Sequence, residues 1–238
     1  VTLLQTFGLE RRFGGLTAVA GVDFSLEAGE IRAVIGPNGA GKTTFVSLIS
    51  GRFPPSAGRI VFDGRDITGL PAFERVRLGI AYTFQITSVY AKLPVAENVA
   101  LAARSGLGDA ASAAAVAARI DGTLARVGLS DRRDQPAGTL AYGHQRLLEV
   151  AMGLALSPRL IILDEPTQGL SDAEIDGFVD LVRTIARDTT VMLIEHNMAV
   201  VMALAHRITV LDRGRILAEG TPDAIRADDR VQKAYLGN

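Results

Sequence analysis

Cysteine is absent from the 238 residues, which excludes disulfides and thiolate metal sites and is compatible with a reducing compartment. An excess of charge of one sign is lacking as well: 25 Lys and Arg stand against 26 Asp and Glu, a net charge of −1. No basic excess points to nucleic acid, and no acidic excess points to disorder. Long apolar runs are also missing, although hydrophobic residues make up 48% of the chain. The best run, Val150 to Leu156, stops at Ser157 and Pro158, well short of the roughly 18 residues that suggest a membrane span. Much of the apolar content is alanine, which favours helices more than membranes. The first residues include the acidic Glu10 and lack a basic start with an apolar core, so no secretory signal is expected. No internal repeat or low-complexity linker is present. A soluble or peripheral, cytoplasmic chain is expected, long enough to bury a sizeable core.

The chain opens with alternating segments, Leu3 to Leu9 and Gly21 to Leu26, that read as antiparallel strands. The compact apolar run Ile31 to Ile35 suits a buried strand, and Thr43 to Ser50 has helical spacing that ends at Gly51. Arg59 to Phe62 with Asp63-Gly64 suggests a strand and hairpin turn, and Ile80 to Thr83 a further short strand. From about Val89 to Ser157 alanine and arginine dominate, with Asp109 to Val127 almost all helix formers. Strands return at Leu160 to Leu163, Val191 to Ile194, Ile208 to Leu211 and Arg215 to Glu219, with helices at Asp172 to Arg187 and Ala199 to Ala205. Pro222 to Leu236 reads as a short helical end. Such alternation predicts an α/β fold with a mostly parallel sheet covered by helices on both faces. The expected organisation is one domain: a core from 1–88 and 158–238 with an antiparallel β part, and an inserted helical part at 89–157.

Gly36-Pro37-Asn38-Gly39-Ala40-Gly41-Lys42-Thr43 fits G-x-x-x-x-G-K-[ST] in full, between a buried strand and a helix. Glycines allow backbone N–H groups to turn inward and approach phosphate. The helix opening at Lys42 adds unsatisfied N–H groups and the positive end of its dipole. Lys42 is expected to reach the terminal phosphates of ATP and the Thr43 hydroxyl to ligate Mg²⁺, with Thr44 beside it. The alternative is a glycine-rich turn that merely ends in Lys-Thr. A second site is an apolar strand, Leu160 to Leu163, that ends in Asp164 and Glu165. Ligands bind at the C-terminal ends of strands in such sheets. Asp164 is the candidate for Mg²⁺ and Glu165 for the general base that readies water. Taken alone, the pair reads equally well as a solvated acidic strand end.

These features, in this order, resemble the ATPases of ABC transporters, and the resemblance runs from about Leu3 to Asn238. The fold it implies is a P-loop NTPase core with an N-terminal antiparallel β subdomain and an inserted helical subdomain. By the same resemblance Gln85, after Tyr82-Thr83-Phe84, looks like the glutamine that touches Mg²⁺ and the water and signals to the permease. Leu140-Ala141-Tyr142-Gly143-His144-Gln145-Arg146 stands where the L-S-G-G-Q signature is expected, with Ala141, Tyr142 and Gly143 facing the partner's γ-phosphate. Ala141, Tyr142 and His144 depart from the commonest form. Losing the serine hydroxyl removes one hydrogen bond, about 1 kcal/mol. Gly169-Leu170-Ser171-Asp172 looks like the D-loop, His196 like the switch histidine at the γ-phosphate, and Phe13 like the aromatic that stacks on adenine. An aromatic near a strand end is also often core. His144 stays open between a dimer contact and a spectator, and His206 reads as a partly buried helix end.

The L-[SA]-Y-G-x-Q-R variant, with Glu219-Gly220-Thr221-Pro222 and Ala234-Tyr235-Leu236-Gly237, is most similar to ATPase subunits of branched-chain amino acid importers. The resemblance implies ATP hydrolysis, a second ATPase subunit (a copy or a sister subunit), transmembrane permease subunits and, indirectly, an extracytoplasmic solute-binding protein. It places the chain peripherally on the cytoplasmic face of the plasma membrane and implies no nucleic-acid partner. The alternatives are a lipid or lipopolysaccharide export motor and a urea or amide importer. A P-loop kinase lacks support, because no acceptor site is visible in the sequence.

Overall fold

The computed structural model describes residues 1–83, 88–108 and 110–236. Strands β1 (Thr2–Phe13), β2 (Leu16–Glu27), β4 (Ala57–Phe62) and β5 (Arg65–Asp66) form an antiparallel sheet in the order β2-β1-β4-β5. The first two run further than their apolar alternation suggested, because they pair along almost their whole length, Thr2 with Glu27 and Phe13 with Leu16.

The second sheet carries β10 (Arg215–Gly220), β9 (Arg207–Asp212), β3 (Ile31–Ile35), β8 (Thr190–Ile194), β7 (Leu160–Asp164) and β6 (Ile80–Thr83), in that order. Its pairings are parallel except for β10, which folds back antiparallel on β9 as an edge. The runs were continuously apolar rather than alternating because both faces are covered. Ile161, Leu163, Val191 and Leu193 pack toward the helices of the middle region. Their neighbours Leu160, Ile162, Met192 and Ile194 pack with the antiparallel sheet and with α1 (Lys42–Ser50). Ala33, Ile35, Ile208 and Val210 meet α7 (Met198–Leu204) and the tail.

The middle region holds α3 (Val95–Leu107), α4 (Ala113–Arg126) and α5 (Tyr142–Ala155). Helix α4 starts later than the helix-forming composition suggested, at Ser112, whose hydroxyl accepts from the Ala115 N–H at 3.2 Å and caps the turn. Helix α6 spans Asp172–Ile185. The tail is two helices, α8 (Pro222–Arg226) and α9 (Asp229–Leu236), rather than one. No helix among the described residues is long and apolar enough to cross a membrane.

The short helix α2 (Ala72–Arg77) was not foreseen, since six residues between Pro71 and Gly79 carry too little periodicity. It delivers Arg75, 1% exposed, to the C-terminal end of α1. The guanidinium donates to the carbonyls of Leu48 (2.6 Å), Ile49 (2.9 Å), Thr68 (3.0 Å) and Leu70 (2.9 Å). Burial lowers its pKa to about 10. A cation at a helix C-terminus also meets the negative end of the dipole. Arg75→Met should cost about 3 kcal/mol, because several carbonyls lose a charged donor. For a chain of this size that lowers Tm by about 6–12 °C, measurable by calorimetry.

Candidate functional site

Parallel register decides what meets at the sheet's edge. Val34 of β3 pairs with Ile194 of β8, and Ile194 pairs with Asp164 of β7. The glycine loop after β3, the acidic turn after β7 and the histidine turn after β8 therefore leave the same edge side by side.

The loop closes tightly on its surroundings. Gly41 caps α1 at φ +99°, and a Cβ there would lie 2.3 Å from the Ala18 carbonyl oxygen of β2, so only glycine fits. The hairpin after β9 braces the same place: Gly214 N–H donates to the Ala40 carbonyl at 2.9 Å, and Ala20 N–H to the Gly214 carbonyl at 2.8 Å. Lys42 is 6% exposed. Its Nζ donates to the carbonyls of Gly36 (2.6 Å) and Pro37 (3.1 Å). Burial lowers its pKa, while the charges of Glu165 and Asp164 oppose that shift.

Asp164, 1% exposed, accepts the Tyr82 hydroxyl at 2.5 Å. Burial raises its pKa, and the Tyr82 hydrogen bond pulls the other way. Glu165 sits at φ +48°, a left-handed conformation that costs a side-chain-bearing residue about 1–2 kcal/mol. Its N–H donates to the Ile194 carbonyl at 2.8 Å. His196 Nε2 lies 2.5 Å from Glu165 Oε1.

A cleft of about 600 Å³ brings together Phe13, Asn38, Gly39, Ala40, Gly41, Lys42, Thr43, Thr44, Glu165 and His196, a volume in the usual range for a small ligand. Phe13 stands at its rim, edge-on to Phe53 with centroids 5.7 Å apart and with the Arg11 guanidinium 4.6 Å above its ring. Pro37 and the buried Asp164 adjoin the cleft without lining it. Gln85 lies outside the described residues. Ala141, Tyr142 and Gly143 are not brought to this cleft. Ala141 caps α5 without a side-chain hydrogen bond, and Tyr142 packs on Gly169. Gly143 lies close to α6: a Cβ there would fall 2.2 Å from Glu174 Oε1, so the Glu174 carboxylate would have to swing aside. Glu174 is held by the Ser171 hydroxyl and N–H at 2.7 and 2.9 Å, which lower its pKa. His144 lies over the hollow between α5 and α6.

Four contributors to the cleft had no sequence signal: Leu16, Thr17, Ala18 and Arg213, which arrive from β2 and the β9–β10 hairpin. Tyr82 stands in the sequence only as part of the run before Gln85. Glu195, the residue before His196, carries no motif of its own, yet it is 3% exposed and bonds both turns.

A glycine loop entering a helix at the edge of a parallel sheet, with carboxylates at the end of β7, one strand removed from β3, defines the P-loop nucleotide-hydrolase class. The "ABC transporter" family description matches residues 19–168, and that of "Branched-chain amino acid ATP-binding cassette transporter" matches residues 215–238. The chain is 38% identical to the high-affinity branched-chain amino acid transport ATP-binding protein BraF of Pseudomonas aeruginosa, over 99% of this chain and 98% of that protein. It is 38% identical to LivG of Escherichia coli, of the same description and with the same coverage. An ATP-binding cassette of an ABC transporter solved without nucleotide superposes with a TM-score of 0.88 at 27% identity, and one in its ADP conformation with 0.87 at 26%, each covering 100% of both chains. The chain belongs to the ABC transporter family, as one of its ATP-binding, ATP-hydrolysing subunits.

Proposed function

We propose that this subunit powers an importer for branched-chain or other hydrophobic amino acids from the cytoplasmic face of the membrane. The observation that carries its chemistry is the convergence of Lys42, Glu165 and His196 on one cleft. The amino-acid assignment rests on full-length likeness to BraF and LivG and on the tail at residues 215–238.

The triphosphate is the substrate. Main-chain N–H groups of Asn38 to Thr44 cradle it, and the Lys42 ammonium exchanges its loop carbonyls for the terminal phosphate oxygens. Glu165 accepts a proton from the attacking water, and His196 donates to a γ-phosphate oxygen, where negative charge is stabilised. Adenine stacks on Phe13. The Thr43 hydroxyl and the Asp164 carboxylate are hard oxygen donors at the loop edge. Among the described residues no three His, Cys, Asp or Glu side chains group to hold a metal. That donor set suits Mg²⁺, which takes one or two carboxylates and completes its shell with phosphate oxygens and water. When bound, Mg²⁺ neutralises charge on the β- and γ-oxygens. Gln85 is assigned to the same ion and to signalling.

The cleft of one chain lacks a signature. Ala141, Tyr142 and Gly143 of a second ATPase subunit complete it head to tail, with the helical part at 89–157 presenting them. Moving a pair from mostly open to mostly closed takes roughly 5.5 kcal/mol of differential binding, within reach of two triphosphates held by charge-assisted hydrogen bonds. Permease subunits turn that closure into transport, fed by an extracytoplasmic binding protein.

Reconstitution with the permease subunits and binding protein of a branched-chain amino acid importer from the same organism tests this reading. Leucine-loaded binding protein should raise the rate of ATP hydrolysis. Stimulation by lipopolysaccharide or by urea, with none by leucine, would overturn it.

A further inference from the structure

We propose that Glu195 is a positioning residue that locks the turn after β7 to the turn after β8 and so sets Glu165 against His196. The inference rests on the roles just given to Glu165 and His196.

Glu195 directly follows the fully buried strand β8 and is itself 3% exposed. Burying a carboxylate is unfavourable unless its oxygens are satisfied, and here each oxygen serves a different loop. Oε1 accepts the Thr167 N–H at 3.0 Å and the Thr167 hydroxyl. Oε2 accepts the N–H of His196 at 2.8 Å and of Asn197 at 3.0 Å. The chain thus spends one buried carboxylate on bridging segments 28 residues apart.

What the bridge holds is the geometry of the candidate chemistry. Thr167 follows Glu165 by two residues, and Glu165 is in a left-handed conformation that its own side chain does not favour. The Glu165 N–H bond to the Ile194 carbonyl anchors one end of that turn, and Glu195 anchors the other. On the far side, Asn197 caps α7 by accepting the N–H groups of Ala199 and Val200 at 3.0 and 3.4 Å. Glu195 therefore fixes the start of α7 and the backbone of His196 relative to Glu165. The 2.5 Å approach of His196 Nε2 to Glu165 Oε1 is the outcome. Glu195 does not line the cleft, so its effect passes through its neighbours.

Glu195→Gln tests this. The amide keeps the volume, but either orientation turns an NH₂ toward one of the two donor pairs. In the full-length chain kcat should fall about 10- to 100-fold, the scale of a small misplacement of reacting groups. Affinity for a fluorescent ATP analogue should not change, because the glycine loop is untouched. Amide hydrogen exchange should quicken in peptides covering residues 166–168 and 196–200 and nowhere else. Thr167→Val, which removes one donor, should lose about five-fold in kcat, and it decides the matter if Glu195→Gln does not fold. A wild-type kcat in either folded variant overturns the proposal. So does a loss of kcat matched by an equal loss of nucleotide affinity, which would mark a general structural role. Glu165→Gln and His196→Ala run in parallel. If those hydrolyse normally the parent reading fails, whereas if they are inactive while Glu195→Gln is normal, only the positioning role fails.

Discussion

Glu165→Gln binds ATP and turns it over about 10²- to 10⁴-fold more slowly than the wild type, the usual worth of a general base. The amide fills the same space but cannot take a proton from water. Little else changes. Lys42, Thr43 and the loop N–H groups remain, so affinity is kept. The left-handed turn at residue 165 is as unfavourable for glutamine as for glutamate, so stability is kept. With binding intact and hydrolysis stopped, the closed pair accumulates, and gel filtration with ATP shows a dimer that the wild type loses as it hydrolyses. Hydrolysis by Glu165→Gln near the wild-type rate would remove Glu165 from the role of base. Its 2.5 Å contact with His196 would then be read as structural.

Contiguity explains what the sequence could reveal. Gly36 to Thr43 is one unbroken segment whose chemistry and spacing are the same thing, and Leu160 to Glu165 is a strand with its acids attached. The first could be read from its own segment and flanks, whereas the acids gained their reading only by following it in chain order. Leu16, Thr17, Ala18 and Arg213 reach the cleft only because β2 and the β9–β10 hairpin fold over the loop, which sheet order determines and local pattern does not. Tyr82 matters because β6 pairs with β7 and sets its hydroxyl against Asp164. Glu195 carried one available signal, an acid directly after the fully buried strand β8, but its four donors belong to three dimensions. Phe13 was visible only through family resemblance, and at 41% exposure the alternative of a core residue does not hold. Within the signature, Gly143 lies against the Glu174 carboxylate of α6 and Tyr142 against Gly169, so the signature packs on α6 and on the turn before it.

Lys42→Ala should act on the other side of the ledger from Glu165→Gln, on binding rather than turnover. In the free chain the ammonium is nearly buried and satisfied by the carbonyls of Gly36 and Pro37, within a loop that also faces Glu165. A triphosphate offers stronger acceptors in the same place, since hydrogen bonds between ions are shorter and roughly twice as strong as neutral ones. Removing that donor costs about 1.5–3 kcal/mol of binding, which is about 10- to 150-fold in Kd by calorimetry. Arginine is a poor substitute, because a planar guanidinium must enter a position only 6% exposed and cannot reproduce a compact point charge. Lys42→Arg should therefore bind little better than Lys42→Ala. The two lesions are separable: Lys42→Ala prevents the ATP-dependent dimer that Glu165→Gln traps, and the double variant should behave like Lys42→Ala alone, because a site that does not fill has nothing to trap. Unchanged ATP affinity in Lys42→Ala would contradict the phosphate-binding role and leave the ammonium as a brace for its own loop.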